Sequence, residues 1–465
     1  MARNGTLIQQ VMAHVRAGMA SRSYLPGTRL PSVRQQAGLL GMSVSTVVEA
    51  YERLAAEGLV VARPGAGFYV NGPVAPLALL ELGPKLDRVV DPLWVSRQSL
   101  ESAQTTLRPG CGWLPPDWMF EEGIRRALRA QARGPLAELT EYATPLGSPG
   151  LRQLLARRMA ATGIEVSPEQ LMLTESGTQA IDLVCRFLLK PGDTVLVDDP
   201  CYFNFHALLK AHQVQAVGVP YTPQGPDVQL FDKALQEHQP RLYITNAGIH
   251  NPTGAALSPL VAHRLLKLVE SSDLVIVEDD IFADFENQHA PRLAAFDGLA
   301  RVIQIGSFSK TISASVRCGY LAARPEWIEG LVDLKLATTF GAGRLAQDII
   351  LKTLTDSGYR KHMDLVRQRL AENMEKVAQR LRKLRVEPAL VPQAGMFLWC
   401  RLPQGADAAA VARACLQEGV VLAPGNSFSQ SQSAGDYLRF NVSQCADERV
   451  FAVLARALSQ ATAGR

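Results

Sequence analysis

Five short polar clusters between residues 176 and 317 carry the side-chain types from which a reactive site can be built. The clusters are Ser176-Gly177-Thr178, Asp199-Pro200-Cys201-Tyr202, Asn251-Pro252-Thr253-Gly254, Glu278-Asp279-Asp280 and Ser307-Phe308-Ser309-Lys310, the last followed by Arg317. They supply small hydroxyls at a helix start, which suit a phosphate, together with an aromatic ring, an amide, a carboxylate and an amine. A lysine that forms a Schiff base and an acid that keeps a pyridine nitrogen protonated are what pyridoxal phosphate (PLP) requires. Each cluster alone is ordinary turn chemistry, so the prediction depends on all five occurring together.

The clusters need a scaffold that brings them to one place, and the surrounding pattern predicts one. Short apolar strand candidates alternate with helical patterns, at residues 171–174, 194–198, 214–219, 241–246, 273–278, 301–306 and 319–322. Strands separated by helices predict an α/β domain with a mostly parallel, seven-stranded sheet covered on both faces. Ligands of such sheets bind at the carboxyl ends of the strands, which is where the clusters fall.

The first 72 residues have a different pattern, which predicts a small α+β domain. Apolar residues recur at helical spacing from Leu7 to Met19, and a second short helix begins at Pro31-Ser32. Ser43 or Ser45 caps a third helix, and strand-like runs flank residues 64–67 as a hairpin. Three helices followed by a hairpin are typical of a winged helix-turn-helix, whose third helix enters a DNA major groove.

The charge of the protein is concentrated in this head. The net charge is +4, and residues 1–72 contain seven arginines, three glutamates, no lysine and no aspartate, which already sum to +4. The remaining residues balance at 41 basic and 41 acidic side chains. A basic head on a neutral body is typical of nucleic-acid binding, although an arginine-rich solvated surface has the same composition.

Composition also indicates the cellular compartment of the protein and the position of a linker. The seven cysteines are scattered, odd in number and without a C-x-x-C pair, which favours reduced thiols over disulfides or a metal site. Neither a secretory signal nor an apolar run of about 18 residues occurs, so we expect a soluble, cytoplasmic protein without a membrane span. Residues 73–107 contain four prolines and are predicted to be a linker that is helical at most in part.

The head resembles the GntR family of winged-helix regulators. The resemblance rests on the segment from Pro26-Gly27 through Leu30-Pro31-Ser32-Val33-Arg34, on Met42 to Val47, and on Gly58-Leu59-Val60. It implies that the DNA contacts are made by Arg34, Ser43, Ser45, Thr46, Arg63 and Gly65. Ser43 and Ser45 are equally well explained as helix caps.

The body resembles fold-type I aminotransferases over roughly residues 108–460. The resemblance implies that Lys310 forms the Schiff base, Asp279 pairs with the pyridine nitrogen, Asn251 bonds the ring hydroxyl and Tyr202 stacks on the ring. The implied phosphate ligands are Ser176, Gly177, Thr178, Ser307 and Arg317, and Ser309 is implied to be a further cofactor-binding residue. Tyr142 is implied to reach the phosphate of a neighbouring subunit, which makes the protein a homodimer, and Arg439 to grip an amino acid's α-carboxylate.

One position departs from the family pattern. Many relatives carry a tyrosine near the acidic motif that donates a hydrogen bond to the cofactor's ring oxygen. Here that position, among the implied cofactor-binding residues, is Phe282, which has no hydroxyl. Our hypothesis is that the electronic tuning of the Schiff base is weaker, so that turnover suffers more than cofactor binding.

Head and body together resemble the MocR subfamily of GntR-family regulators. We expect a head at 1–72, a linker at 73–107 and a PLP-binding body at 108–465, with a large domain at about 140–335 and a small α+β subdomain at about 345–465. The resemblance implies a head-to-tail homodimer in which an amino compound displaces Lys310 from its internal aldimine and thereby changes binding to a DNA operator. Two alternatives stay open: a working aminotransferase of the 2-aminoadipate or kynurenine type with an accessory head, and a sensor of PLP itself.

Overall fold

The computed structural model describes residues 6–20, 24, 27–63, 67–71, 92–101 and 105–463. Two units are separated by their internal contacts, Met1–Leu82 and Gly83–Arg465. No helix within the described ranges is long and apolar enough to cross a membrane.

The first unit contains three helices and a two-stranded hairpin, as the spacing predicted. The helices are α1 (Leu7–Ala20), α2 (Val33–Leu40) and α3 (Val44–Ala56), and the antiparallel strands are β1 (Val60–Arg63) and β2 (Gly67–Val70). Val11 and Val15 of α1 and Val47, Tyr51 and Leu54 of α3 are fully buried. These residues lie on one face of each helix, so the apolar stripes of α1 and α3 form the core.

Local hydrogen bonds explain where α2 and α3 begin and end. Ser32 accepts a hydrogen bond from the backbone N–H of Gln35, whose side chain bonds back to Ser32, and together they form a capping box. The left-handed φ of 63° at Gly41 ends α2. Ser43 accepts from the N–H of Thr46 at 3.1 Å, so Ser43, of the two candidate serines, is the cap of α3.

A large, mostly parallel sheet forms the centre of the second unit. Its strands are β3 (Leu171–Thr174), β4 (Thr194–Asp199), β5 (Gln215–Thr222), β6 (Gly225–Pro226), β7 (Leu242–Thr245), β8 (Val275–Asp279), β9 (Val302–Ser307) and β10 (Gly319–Ala322). They are ordered β3-β10-β9-β8-β7-β4-β5-β6. All seven predicted strands are present. The eighth, β6, is a two-residue antiparallel addition to β5, too short for an apolar pattern to indicate.

Helices cover this sheet, and its strands are largely buried on both faces except β5, which is partly exposed. The helices from residue 121 to 354 are α5 (Glu121–Ala132), α6 (Leu136–Thr140), α7 (Pro149–Ala160), α8 (Gly177–Leu188), α9 (Phe203–Ala211), α10 (Val228–His238), α11 (Pro259–Val269), α12 (Leu293–Asp297), α13 (Pro325–Thr339) and α14 (Arg344–Leu354). Strand β10 is antiparallel to both of its neighbours, β3 and β9.

A smaller subdomain follows at the carboxyl end of the chain. A four-stranded antiparallel sheet of order β11-β12-β14-β13 packs with three helices. Its elements are α15 (Tyr359–Lys383), β11 (Glu387–Pro388), β12 (Phe397–Arg401), α16 (Ala408–Gln417), β13 (Ala423–Pro424), β14 (Tyr437–Asn441) and α17 (Arg449–Ala463). Leu107 exchanges backbone hydrogen bonds with Gly419 and Val421, which joins the segment before residue 111 to this subdomain.

Part of the segment predicted as a linker is a helix of the second unit. Helix α4 (Pro92–Glu101) packs against α9 and buries Trp94 and Val95, each 1% exposed. Burial of a tryptophan explains why these ten residues are ordered despite their proline. Residues 72–91 and 102–104 lie outside the described residues.

Candidate functional site

A cavity of about 250 Å³ lies at the carboxyl edge of the large sheet, as the strand-end clusters predicted. It brings together eleven of the thirteen body residues proposed for the site, which are Ser176, Gly177, Thr178, Tyr202, Asn251, Asp279, Phe282, Ser309, Lys310, Arg317 and Arg439. Ser307 lies beside it, with its Oγ 3.2 Å from the Oγ of Ser309. Tyr142 is outside the cavity and is 79% exposed.

The antiparallel strand β10 explains why Arg317 and Lys310 share one edge. Strand β9 ends at Ser307 and β10 begins at Gly319, so the residues that connect these strands all lie where β9 ends. A parallel crossover would have carried the chain to the opposite edge before the next strand began. Reversal of a single strand therefore places the lysine and the arginine together.

The start of α8 offers unpaired backbone donors to the cavity. Ser176 caps the helix by accepting from the N–H of Gln179, while no described group accepts from the N–H groups of Gly177 and Thr178. Gly319 approaches this turn so closely that an added Cβ would lie 2.6 Å from the carbonyl carbon of Ser176. Free N–H groups at a helix start, beside Ser309 and the guanidinium of Arg317, form a cradle for an anion.

Asp279 is buried and Lys310 is half-buried, and desolvation shifts the pKa of each towards neutrality. Desolvation lowers the pKa of Lys310 to about 8, with Arg439 and Arg317 lowering it further and Cys111 and Asp279 opposing. Desolvation raises the pKa of Asp279 to about 6, against the stabilising hydrogen bonds of Asn246 and the Ile281 N–H. A lowered pKa makes more of the Lys310 amine neutral and therefore nucleophilic. A raised pKa shows that no nearby cation offsets the desolvation of the Asp279 carboxylate.

Arg439 is held in the cavity wall with one of its three nitrogens unpartnered. It is 1% exposed, and its Nη1 and Nη2 donate to Asn251 Oδ1 at 2.8 Å and to the Gly110 carbonyl at 2.7 Å. Its Nε is buried and has no partner among the described residues, and burial lowers the pKa of Arg439 to about 10. The Asn251 contact uses the amide oxygen and leaves Nδ2 without a described acceptor. A buried cation with an unused donor is suited to binding a carboxylate.

Aromatic rings enclose the same space. Tyr202 stands at the start of α9, and burial raises its pKa to about 12. Phe282 is 4% exposed and packs edge-on against Phe397, with ring centroids 5.4 Å apart. The hydroxyl-free position found in the sequence is therefore part of the cavity wall.

The sequence analysis missed the residues that support this site from outside the five clusters. Cys111 and Gly112 line the cavity, and a Cβ added at Gly112 would lie 3.8 Å from Lys310 Nζ and 3.9 Å from Arg439 Nη2. Asn246 donates to the Asp279 carbonyl at 3.0 Å. The glycines flanking Cys111 are a weak signal of close approach, whereas no signal in the sequence indicated Asn246.

The other two carboxylates of Glu278-Asp279-Asp280 have structural partners. Arg292 is fully buried and its Nε donates to Asp280 at 2.8 Å, while its Nη2 donates to Glu286 at 2.7 Å. Glu278 accepts from the backbone N–H groups of Leu293 and Ala294 at the start of α12. Only Asp279 faces the cavity. The sequence indicated three buried acids, and tertiary contacts select one.

Of the described head residues proposed to contact DNA, all but the half-buried Thr46 are exposed. Arg34 on α2 forms no ion pair with a described residue, and Arg63 lies over the ring of Tyr69 at 4.3 Å. Ser45 is exposed and Thr46 is half-buried at the first turn of α3. Gly65 lies outside the described residues.

The residues of the cavity fit PLP. The start of α8 with Ser309 and Arg317 suits the phosphate, Asp279 the pyridine nitrogen, Asn251 Nδ2 the ring oxygen, and Lys310 the aldehyde carbon. Each of these groups has either an unused donor or a pKa displaced by burial, which a bound partner would compensate.

Comparisons with protein families match both parts of the chain. The family of class I and II aminotransferases matches residues 119–458, and the gntR family of bacterial regulatory proteins matches residues 7–70. Among curated proteins, the HTH-type transcriptional regulator YdcR of Escherichia coli is 30% identical over 449 residues, covering 93% of this chain and 94% of its own. The 2-aminoadipate transaminase of Thermus thermophilus is 31% identical over 356 residues, covering 73% and 87%.

Solved structures match the second unit. The α-aminoadipate aminotransferase LysN from Thermus thermophilus, complexed with N-(5'-phosphopyridoxyl)-L-leucine, superposes with a TM-score of 0.73 at 26% identity, covering 82% of this chain and 97% of that one. An archaeal alanine:glyoxylate aminotransferase has the same TM-score and identity over 81% and 96%.

Proposed function

Because the chain belongs to the class I and II aminotransferase family and, through its gntR-type head, to the MocR subfamily of regulators, we propose that it controls transcription in response to an amino acid. The head binds DNA, and the body holds PLP. When bound, PLP supplies an electrophilic carbon that the amino groups of Lys310 and of a ligand can compete for. The residues of the chain hold the cofactor, orient the ligand and tune the charge around it.

The observation that carries this proposal is the state of Arg439. A fully buried arginine with an unpaired Nε, in the same cavity as Lys310, calls for an anionic group on the ligand. An α-carboxylate beside an amine meets both requirements, because Arg439 binds the first while the second reaches the carbon next to Lys310. The ligand is accordingly an α-amino acid rather than a simple amine.

We also propose that the protein is a homodimer and that its two subunits are arranged head to tail. Tyr142 and Phe340 are 79% and 65% exposed and pack edge-on at 5.1 Å, beside the exposed Leu136 and Leu345. Exposed aromatic and aliphatic side chains of this kind favour a subunit interface. Tyr142 would then act in the partner's cavity, and sedimentation of the Tyr142→Ser variant tests whether this patch supports the dimer.

The proposal keeps the head at residues 1–72 and places α4 in the body, with the linker between them. A cytoplasmic location agrees with it, since all seven cysteines are buried and unpaired and the head requires access to DNA.

A second function, transamination, is favoured by one observation. Every group named above for PLP binding and for an α-carboxylate is present, and the 2-aminoadipate transaminase is as similar in sequence over the body as the regulator is over the whole chain. Recognition and turnover share the step in which the ligand's amine replaces Lys310. Phe282, in place of a tyrosine, is the feature that favours recognition over turnover.

The test measures both functions in one preparation. PLP-loaded protein is titrated with a panel of L-amino acids while its visible spectrum and its affinity for a duplex selected from random DNA are recorded. Keto-acid formation is measured in parallel with pyruvate and with 2-oxoglutarate as amino acceptors. We expect one amino-acid class to change both the spectrum and the DNA affinity, with negligible turnover.

Each other outcome decides against part of the proposal. Steady turnover with DNA affinity unaffected by every amino acid would favour the enzyme. DNA affinity that responds to PLP alone would favour a sensor of the cofactor. Absence of DNA binding would contradict the regulator outright.

A further inference from the structure

We propose that the ligand of the cavity is an α-amino acid with an uncharged side chain, apolar, aromatic or neutral polar, received between α4 and α9. This inference rests on the proposed function, because it takes Arg439 as the partner of the α-carboxylate. It names the ligand class that the rest of the cavity accepts.

One face of α4 forms part of the cavity wall. Val95, Ser96, Ser99 and Leu100 line the cavity, at the spacing of one helix face. Asn204 and Leu208 of α9, against which α4 packs, line it too. Because α9 begins directly after Tyr202, this wall stands next to the ring that is proposed to stack on the cofactor. The side chain of a ligand whose amine reaches the cofactor would extend towards it.

Each cation of the cavity already has a proposed partner on the cofactor or on the ligand's α-carboxylate. Among the described lining residues only Lys310, Arg317 and Arg439 carry positive charge, and Asp279 alone carries negative charge. Lys310 faces the reacting carbon, Arg317 the phosphate and Arg439 the α-carboxylate. Arg97 lies on α4 but is outside the lining, and it pairs with Glu101. A second carboxylate on the ligand would enter without a counter-ion, and a side-chain ammonium would also lack one, since Asp279 serves the pyridine nitrogen.

Most of the remaining wall is apolar and aromatic. Val95, Trp113, Ile181, Leu208 and Phe282 all line the cavity. Such a wall stabilises apolar side chains by excluding water and penalises charged ones.

One buried hydroxyl on this surface has no hydrogen-bond partner among the described residues. It belongs to Ser99, which is 3% exposed. A buried hydroxyl without a partner is costly, and a ligand group that bonds to it removes that cost. Ser99 is therefore assigned as the hydrogen-bond partner of a neutral polar group on the ligand's side chain.

The experiment compares ligand classes and does not depend on turnover. Dissociation constants for PLP-loaded protein are measured by spectral titration and by ligand-induced thermal stabilisation. The probes are L-leucine, L-phenylalanine and L-tyrosine as neutral ligands, L-glutamate and L-2-aminoadipate as acidic ones, and L-lysine as a basic one. We expect the tightest neutral ligand to bind at least tenfold better than every charged one.

Two α4 variants locate the selectivity. Ser96→Arg places a cation on the half-exposed part of the wall. The variant should raise the affinity for acidic ligands at least tenfold relative to the affinity for neutral ones. Ser99→Ala should remove the preference between neutral ligands that differ by one hydroxyl, such as L-tyrosine and L-phenylalanine or L-homoserine and L-2-aminobutyrate. Arg439→Gln is the matched control. It should weaken the binding of all ligand classes alike and leave the ratios of their dissociation constants unchanged.

Acidic ligands that bind wild type as tightly as neutral ones would overturn the inference and leave the proposed function standing. So would unchanged ratios in both α4 variants. If no amino acid of any class binds, or if Arg439→Gln weakens none of them, the proposed amino-acid ligand itself fails.

Discussion

The head and the cavity of the body handle charge in opposite ways. In the head, Arg34 and Arg63 are exposed to solvent and are available to a polyanion. In the body, Arg439 is buried and Lys310 is half-buried, and desolvation lowers the pKa of each. An exposed charge stays hydrated, costs the fold little and can meet a polyanion directly, whereas a desolvated charge meets only a ligand that enters its cavity. The head is accordingly built to attract a large charged surface, and the cavity to recognise one small molecule.

The largest effect is expected from Lys310→Ala. The variant loses the one lysine of the described cavity lining, so the aldimine absorbance near the edge of the visible range should disappear. Basal DNA affinity, which depends on exposed head residues, should stay within about twofold. Absorbance and fluorescence anisotropy on labelled duplex measure the two. Loss of both properties together would show that the regions are not separable and that PLP is structural.

A pair of arginine variants compares buried and exposed ion pairs directly. Arg292→Met leaves Asp280 and Glu286 buried without their cation and should cost the body about 3–5 kcal/mol of unfolding free energy. Arg53→Ala removes an exposed partner of Glu49 and should cost the head less than about 0.5 kcal/mol.

All five tryptophans lie between residues 94 and 399, so denaturation followed by tryptophan fluorescence reports on the body. Hydrogen exchange in α3 reports on the head. Equal losses of unfolding free energy in Arg292→Met and Arg53→Ala would contradict the expected difference between buried and exposed ion pairs.

Arginine variants of the head should weaken DNA binding without touching the cofactor. Arg34→Ala or Arg63→Ala should lower affinity by about 1–3 kcal/mol, and a lost phosphate contact should also reduce the salt dependence by about one unit. Arg16→Ala is the control, because it removes the same charge from α1, where Arg16 pairs with Glu57. If all three variants weaken binding equally, net charge and not the proposed contact residues would explain DNA binding.

The pH dependence of cofactor uptake tests the burial of Lys310. The neutral amine is the reactive form, so uptake of PLP by the apoprotein should rise with pH and level off above the pKa of about 8. The rate should increase about fivefold between pH 7 and pH 8, whereas a solvent-exposed lysine would gain about tenfold per pH unit up to its ordinary pKa near 10.4. A rate that keeps rising tenfold per unit beyond pH 9 would place Lys310 in solvent.

The smallest effect separates the two serines of the head. Ser43→Ala removes the cap of α3 and should destabilise the head by about 1 kcal/mol. Ser45→Ala should leave stability unchanged, because Ser45 makes no capping bond to the backbone. Thermal denaturation and DNA affinity are measured on both variants. A loss of affinity in Ser45→Ala alone would assign that hydroxyl to DNA.

Much of the site could be predicted because its residues follow strands. The strand candidates and their polar ends indicated Asp279, Asn251 and Lys310 as neighbours, since parallel strands end at one edge of a sheet. The seven predicted strands are all present for the same reason: buried strands are continuous apolar runs. Helix α4 was assigned to a linker because the four prolines of residues 73–107 interrupt short apolar runs, and its order depends on burial of Trp94 against a distant helix.

The amino-acid sequence by itself determined the two-part organisation, the basic head and the residue types of the cavity, because charge balance, apolar period and strand-end clusters are local properties of the chain. Only the tertiary structure decided which of three acids faces the cavity, which serine caps α3, and that Arg439 is buried with an unused donor. It also placed α4 and its orphaned Ser99 hydroxyl in the cavity wall. Burial and pairing depend on residues far apart in the chain, so no local pattern can specify them.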